Sequence, residues 1–181
     1  MCRGRGIGYY NSLPCILKSD FKNFEKLTIG NGNNIVVIGH KTSRAKPTFE
    51  NRNNLILTKN DLYNQCPPYF NSINNILDYK KNTHYENIWI VGGASIFNSM
   101  LTHPKLEHIY ITEIDTICKY THFLDEIPPW FYLDSTSKWF KENNISYRFK
   151  IYSKNSNFLD YVPKSFSIPY TDFLRHVLRN P

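Results

Sequence analysis

Two short runs constrain this chain most, because each is apolar, rich in β-branched residues and stopped by glycine. Asn34-Ile35-Val36-Val37-Ile38-Gly39 and Asn87-Ile88-Trp89-Ile90-Val91-Gly92-Gly93 show no polar–apolar alternation. A strand built from either must be covered on both faces, as the strands of a parallel sheet are. Leu55-Ile56-Leu57-Thr58 and Ile109-Tyr110-Ile111-Thr112 have the same character. Helical character fills residues 20–27, 42–46 and 94–101, and a short helix is expected over 71–78 within an Asn-, Tyr- and Lys-rich stretch. Strand and helix alternate, so the predicted class is α/β with a mostly parallel central sheet.

Towards the end, Tyr147-Arg148-Phe149-Lys150-Ile151-Tyr152 alternates aromatic and polar positions, which predicts a half-buried antiparallel edge strand. The 181 residues suit one domain plus a short appendage. We place the domain at residues 1–154, a linker with Asn155, Ser156 and Pro163 at 155–169, and a stub of a further module at 170–181. In that stub Phe173, Leu174, Val177 and Leu178 recur at helical spacing with no obvious partner in the chain.

The formal net charge of +7 favours an anionic partner: nucleic acid, an acidic membrane surface or a small polyanion such as a dinucleotide. The basic residues form no dense cluster interleaved with aromatics, which counts against a nucleic-acid-binding module. No apolar run approaches the ~20 residues of a membrane helix. The start, Met1-Cys2-Arg3-Gly4-Arg5-Gly6, has no apolar segment behind its charge. Cys2, Cys15, Cys66 and Cys118 are scattered without a C-x-x-C pair, which fits a reducing compartment and a cytoplasmic protein. The six histidines lack zinc-site spacing, so no metal is expected.

Ser19 is placed to cap the helix that follows, with Asp20 in the first turn and Phe24 four residues on along the same face. On position alone the favoured reading is a solvated first-turn acid at Asp20 and a core residue at Phe24, over a carboxylate and aromatic wall lining a cleft for a flat heterocycle. Val91-Gly92-Gly93-Ala94-Ser95 joins a strand end to a helix start, either as a plain tight turn or as a backbone cradle for phosphate. Gly39-His40-Lys41-Thr42 poses the same alternative.

The order and spacing of these segments resemble the dihydrofolate reductase family from residue 7 to about 154. Ile7-Gly8 with Asn11-Ser12-Leu13-Pro14 resembles the family's I-G-x-x-N-x-L-P loop. Leu17 through Asp20 and Phe24 to Thr28 resembles L-x-x-D-x-x-x-F-x-x-x-T. Val37-Ile38-Gly39-His40-Lys41-Thr42 is similar to V-I-M-G-R-K-T, and Arg52-Asn53-Asn54-Leu55-Ile56-Leu57-Thr58 to R-x-N-I-V-L-S. Ile88 through Phe97 is similar to I-x-V-I-G-G-x-x-I-Y, and Tyr147-Arg148-Phe149 to the closing Y-R-F strand.

The resemblance implies a three-layer fold and NADPH-dependent reduction of dihydrofolate, with antifolate inhibitors as further ligands. It makes Asp20 the catalytic acid that grips the pterin and assists protonation at N5, oriented by Thr112. Phe24, Arg52 and Val91 join them in holding the substrate, with Arg52 on a carboxylate of the glutamate tail, where a forked donor fits best. For the cofactor it implies Ile7, Gly8 and Leu13 from the loop, then Gly39, His40, Lys41 and Thr42, then Leu57, Thr58 and Lys59. Gly92, Gly93, Ala94, Ser95, Ile96, Phe97 and Thr121 complete that set. It also implies a cis peptide at Gly92-Gly93. The basic character of His40, Lys41 and Lys59 argues for NADPH over NADH.

Departures are expected to matter. The family's first central strand is expected to be missing ahead of Ile7-Gly8, which would leave two neighbouring strands with unpaired edges. Cys15 and Ser43 stand in place of tryptophans, and Tyr120 in place of an acid. A catalytically impaired protein of the same fold is therefore the alternative function. Tyr170 to Leu178 is similar to the opening helix of thymidylate synthase, which implies a fused or associated synthase module.

Overall fold

The computed structural model describes residues 1–45, 48–60 and 67–155. The linker beyond Asn155 and the stub at 170–181 lie outside the described residues, as does Cys66. In chain order the elements are β1 (Gly6–Gly8), α1 (Lys18–Ile29), β2 (Ile35–Gly39), α2 (His40–Ser43), β3 (Asn53–Leu57), β4 (Tyr69–Phe70) and α3 (Ile73–Lys81). Then follow β5 (Ile88–Gly92), α4 (Ala94–Leu101), β6 (His108–Ile114), β7 (His122–Phe123), β8 (Phe131–Thr136), β9 (Phe140–Glu142) and β10 (Ile145–Lys154).

Strand β2 explains the layers. Ile35, Val36, Val37 and Ile38 are all at most 1% exposed, and alternate side chains of a strand point to opposite faces. Ile35 and Val37 pack with Leu55, Phe70 and Ile76 of α3. Val36 and Ile38 pack with Phe49, Phe24 of α1, Trp89 and Val91. One glycine-stopped run thus holds a helix on each side, and full burial of each such side chain stabilises by about 1.5–3 kcal/mol. Strands β4-β3-β2-β5 form the parallel sheet, with Val37 opposite Leu55 and Ile90.

A second, antiparallel sheet has the order β6-β10-β8, with β9 also on β10. Here the sequence expectation needs correction: β10 is antiparallel but interior, paired with β6 on one side and with β8 and β9 on the other. An alternating pattern reports half-burial of the faces, and says nothing about how many edges are occupied. Strands β6 and β8 end this order, and Tyr132 and Leu133 of β8 are exposed.

Strands β5 and β6 are not hydrogen-bonded to each other, so the two sheets remain separate. The rings of Trp89 and Tyr110 meet across this junction at 5.1 Å. The expected missing strand is partly represented. The Met1 nitrogen donates to the Thr112 carbonyl at 2.6 Å, Ile114 N donates to the Met1 carbonyl, and Arg3 N donates to the Thr116 carbonyl. Residues 1–3 thereby cover one end of β6.

The cysteines also differ from expectation. Cys2 and Cys118 are bridged, with Cα atoms 6.1 Å apart. Cys15 Sγ lies 3.4 Å from Cys118 Sγ, and the three sulfurs fall within 4.8 Å of one another. Residues far apart in the chain meet here, so spacing along the sequence carried no sign of a bridge or of a cluster with metal-ligand chemistry. No helix among the described residues is long and apolar enough to cross a membrane.

Candidate active site

Helix α1 begins at Lys18, two residues ahead of the expectation, and its N-cap residue Leu17 is only 1% exposed. Ser19 is not the cap. The orphan N–H groups of the first turn are met from a distant strand: Glu142 of β9 accepts from Lys18 N at 2.6 Å and Ser19 N at 3.0 Å, and also from the Ser19 hydroxyl at 2.6 Å. A carboxylate suits this end of a helix dipole. The hydrogen bonds from Ser19 and Lys18 hold the Glu142 carboxyl below its ordinary pKa. Glu142 therefore fixes where α1 starts and where Asp20 sits. Sequence reading missed it because its partners are more than 120 residues away.

Asp20 lies in the first turn as expected, half-buried. The Thr112 hydroxyl of β6 donates to its Oδ1 at 2.5 Å. Asp20, Phe24, Leu27, Tyr110, Ile111 and Thr112 line a cleft of about 190 Å³. Phe24 also packs against the buried cluster of Val36, Ile38 and Phe49, as Val91 at the end of β5 does. Thr28, near the end of α1, returns its hydroxyl to the Phe24 carbonyl at 2.8 Å.

Arg52 is tied to the same helix. Its Nη1 donates to Thr28 Oγ1 at 2.7 Å, its Nε to the Glu50 carbonyl at 2.7 Å, and its guanidinium lies over the Phe49 ring at 5.2 Å. Burial lowers its pKa, with Glu25 and Glu50 pulling the other way. A guanidinium stays charged regardless, so the arrangement presents a fixed cation near the Phe24 end of α1.

At the ends of β2 and β5 the glycines are required by close contact. Gly92-Gly93 is a cis peptide, and Gly92 has φ +127°. A Cβ on Gly93 would meet Thr42 Oγ1 at 2.8 Å, and one on Gly39 would meet Ile96 Cδ1 at 2.9 Å. Two strand ends and the starts of α2 and α4 therefore converge on a space that any Cβ would close. The first N–H groups of a helix have no acceptor inside it, so the cradle offers donors to an anion. Lys41 and Lys59 beside it are exposed, and neither forms an ion pair among the described residues. Thr58 is buried, accepts from Asn60 N at 3.1 Å, and lies 3.5 Å from His40 Nδ1. A dinucleotide phosphate fits this donor set.

The loop residues are placed by β1 and β7. Thr121 N donates to the Gly8 carbonyl at 2.9 Å, Tyr10 N donates to Thr121 Oγ1 at 2.7 Å, and Leu124 N donates to the Arg5 carbonyl. Tyr120 lies flat against Gly4 and Gly6, where a Cβ on Gly6 would approach its ring at 2.6 Å. The glycines of the opening segment are what admit a tyrosine there. Ile7 packs against the buried cluster of Leu101, Ile111 and Leu124, whereas Leu13 is half exposed. Ser43 is buried, its hydroxyl turned back to the His40 carbonyl.

The family model described as Dihydrofolate reductase matches residues 1–154. The chain belongs to the dihydrofolate reductase family. A bifunctional dihydrofolate reductase-thymidylate synthase of Paramecium tetraurelia is 31% identical over 180 residues, covering 96% of this chain. The chain spans only 38% of that relative's length. A dihydrofolate reductase of Aedes albopictus is 28% identical over 174 residues, covering 85% of this chain and 94% of its own. Among solved structures, the dihydrofolate reductase from Enterococcus faecalis complexed with NADP(H) and RAB-propyl superposes with a TM-score of 0.72 at 25% identity. The match covers 86% of this chain and 93% of that one. This family's reductase fold accounts for the three layers, the parallel sheet and the antiparallel sheet together.

Proposed function

We propose that this chain is a cytoplasmic enzyme that reduces dihydrofolate to tetrahydrofolate with NADPH. The observation that carries the reading is the Asp20 carboxylate, oriented by the Thr112 hydroxyl at 2.5 Å in a cleft walled by Phe24 and Ile111. A flat heterocycle with amidine-like N–H donors is gripped by such a carboxylate in two parallel hydrogen bonds. Thr112 holds one carboxylate oxygen and thereby fixes the plane in which the ring must lie. Phe24 supplies the apolar surface against which it stacks. Arg52, anchored through Thr28, faces the anionic tail of the ligand.

NADPH, when bound, supplies a hydride for the pterin C6. Gly39, Thr42, Gly92, Gly93, Ala94 and Ser95 would hold its pyrophosphate through their backbone, and His40, Lys41, Thr58 and Lys59 would meet its extra phosphate. Leu57, Ile96, Phe97, Ile7, Gly8, Leu13 and Thr121 would enclose the rest, and Val91 would join Phe24 on the substrate. Asp20 delivers the proton towards N5, and the apolar cleft excludes water from the pair of rings.

The test is direct: full-length protein with NADPH and dihydrofolate should consume the nucleotide's near-ultraviolet absorbance and bind methotrexate. Asp20→Asn should lower turnover by about 10²- to 10⁴-fold with NADPH binding retained. A folded sample that neither binds methotrexate nor oxidises NADPH refutes the proposal. A second reading, a reductase-fold protein that binds NADPH without turnover, is favoured by the unjoined junction between β5 and β6. Nucleotide binding with no substrate turnover would select it. The similarity of residues 170–178 to a synthase helix, with the bifunctional relative, supports a fused thymidylate synthase as partner.

A further inference from the structure

Cys2, Cys15 and Cys118 come from the first residues, the loop ahead of α1 and the connection between β6 and β7, and nothing in the reductase chemistry uses them. Cys2 and Cys118 are bridged, Cys15 is free, and its sulfur lies 3.4 Å from Cys118 Sγ. All three sulfurs lie within 4.8 Å of one another. Cys2 is 3% exposed, while Cys15 and Cys118 are half-buried.

We propose that these three cysteines form a thiol–disulfide exchange centre in which Cys118 is bonded alternately to Cys2 and to Cys15. The Cys15 thiolate attacks Cys118 Sγ, the Cys15–Cys118 bond forms, and the Cys2–Cys118 bond breaks. Cys2 leaves as a thiolate and takes up the proton that Cys15 gave up. No net oxidation occurs, so no external oxidant or reductant is needed. Exchange is an attack of a thiolate on one sulfur of the bridge, and Cys15 Sγ already lies next to Cys118 Sγ.

Chain entropy barely distinguishes the two bridges. They close loops of 116 and 103 residues, and a logarithmic dependence on loop length shifts the equilibrium by a factor of only about 1.2. Their structural consequences differ. One bridge ties residue 118 to the segment whose Met1 pairs with Thr112, and the other ties it to the loop leading into the helix that carries Asp20. Disulfides that persist in reducing compartments are typically transient or redox-sensing, which reconciles this bridge with the proposed cytoplasmic location.

The experiment is disulfide mapping of the oxidised full-length chain. The protein is held at about pH 8.5, where an ordinary thiol is half ionised, then quenched with acid, alkylated, digested and analysed by mass spectrometry. Both the Cys2–Cys118 and Cys15–Cys118 peptides are expected, in a ratio within about tenfold of unity. Cys15→Ser should leave only the first, and Cys2→Ala, reoxidised with glutathione, only the second. As Cys2 is buried, circular dichroism of Cys2→Ala establishes that it folds. The proposal is overturned if the unmodified chain yields only the Cys2–Cys118 peptide with Cys15 fully alkylated. Reductase activity is not the readout, so failure here leaves the folate reading untouched.

Discussion

Replacing Gly39 by alanine tests whether the cradle is set by close packing of two strand ends. Gly39 has φ −70° and ψ 144°, which any residue adopts, so the cost is steric. The new Cβ would lie 2.9 Å from Ile96 Cδ1, with the Gly92 carbonyl and Gly93 nitrogen at 3.6 Å. Carbon atoms prefer about 3.5–4.0 Å, and Ile96 is 7% exposed, with little room to retreat. Overpacking of this kind costs about 1–3 kcal/mol, offset by about 0.4–1 kcal/mol from the stiffer unfolded chain. A net loss of about 1–2 kcal/mol follows from these two ranges.

Ile96→Val removes the offending atom and alone costs about 0.5–1.5 kcal/mol. If the contact is the cause, the double variant should lose no more than Ile96→Val does, a coupling of about 1–2 kcal/mol. Urea unfolding followed by tryptophan fluorescence measures all four corners of the cycle, and equal slopes would show that only native stability has changed. Losses that simply add would refute the steric account of the cradle.

Thr112→Val deletes the donor to Asp20 without changing shape. Loss of a hydrogen bond to a charged group, about 1.5–3 kcal/mol, should cut kcat/KM by about 10- to 100-fold while leaving NADPH affinity unchanged. Steady-state kinetics and nucleotide titration check both halves. Glu142→Ala should fray the start of α1, read as faster amide exchange at Lys18 and Ser19 and as a higher KM for dihydrofolate. Unchanged exchange would remove Glu142 from the positioning of Asp20.

Burial pushes the Glu113 pKa up, but hydrogen bonds from Lys150 and Arg148 outweigh it and leave the group below its ordinary value. A depressed carboxyl adds stability above its unfolded pKa and loses it as pH falls through the folded one. Glu113→Gln should therefore be less stable than the parent at neutral pH. The two should converge in acid below the ordinary carboxylate range, as denaturation across pH would record.

The sequence by itself determined the fold class and the family. Ile35–Gly39 and Ile88–Gly92 are apolar at every position, so each was read as a strand covered on both sides; β2 is, whereas Ile88 to Val91 of β5 are only half-buried. Asp20, Phe24, Arg52 and Gly92-Gly93 could be nominated as site residues because their type and spacing are local properties of the chain. Only the tertiary structure decided what depends on distant partners. Glu142, not Ser19, caps α1, β10 is interior rather than an edge, and β5 and β6 stand apart. Cysteines more than 100 residues apart meet in one cluster. Patterning records which face of an element is dry. It does not record which remote atom completes a helix end, a strand edge or a thiol pair, because those contacts close across the whole chain.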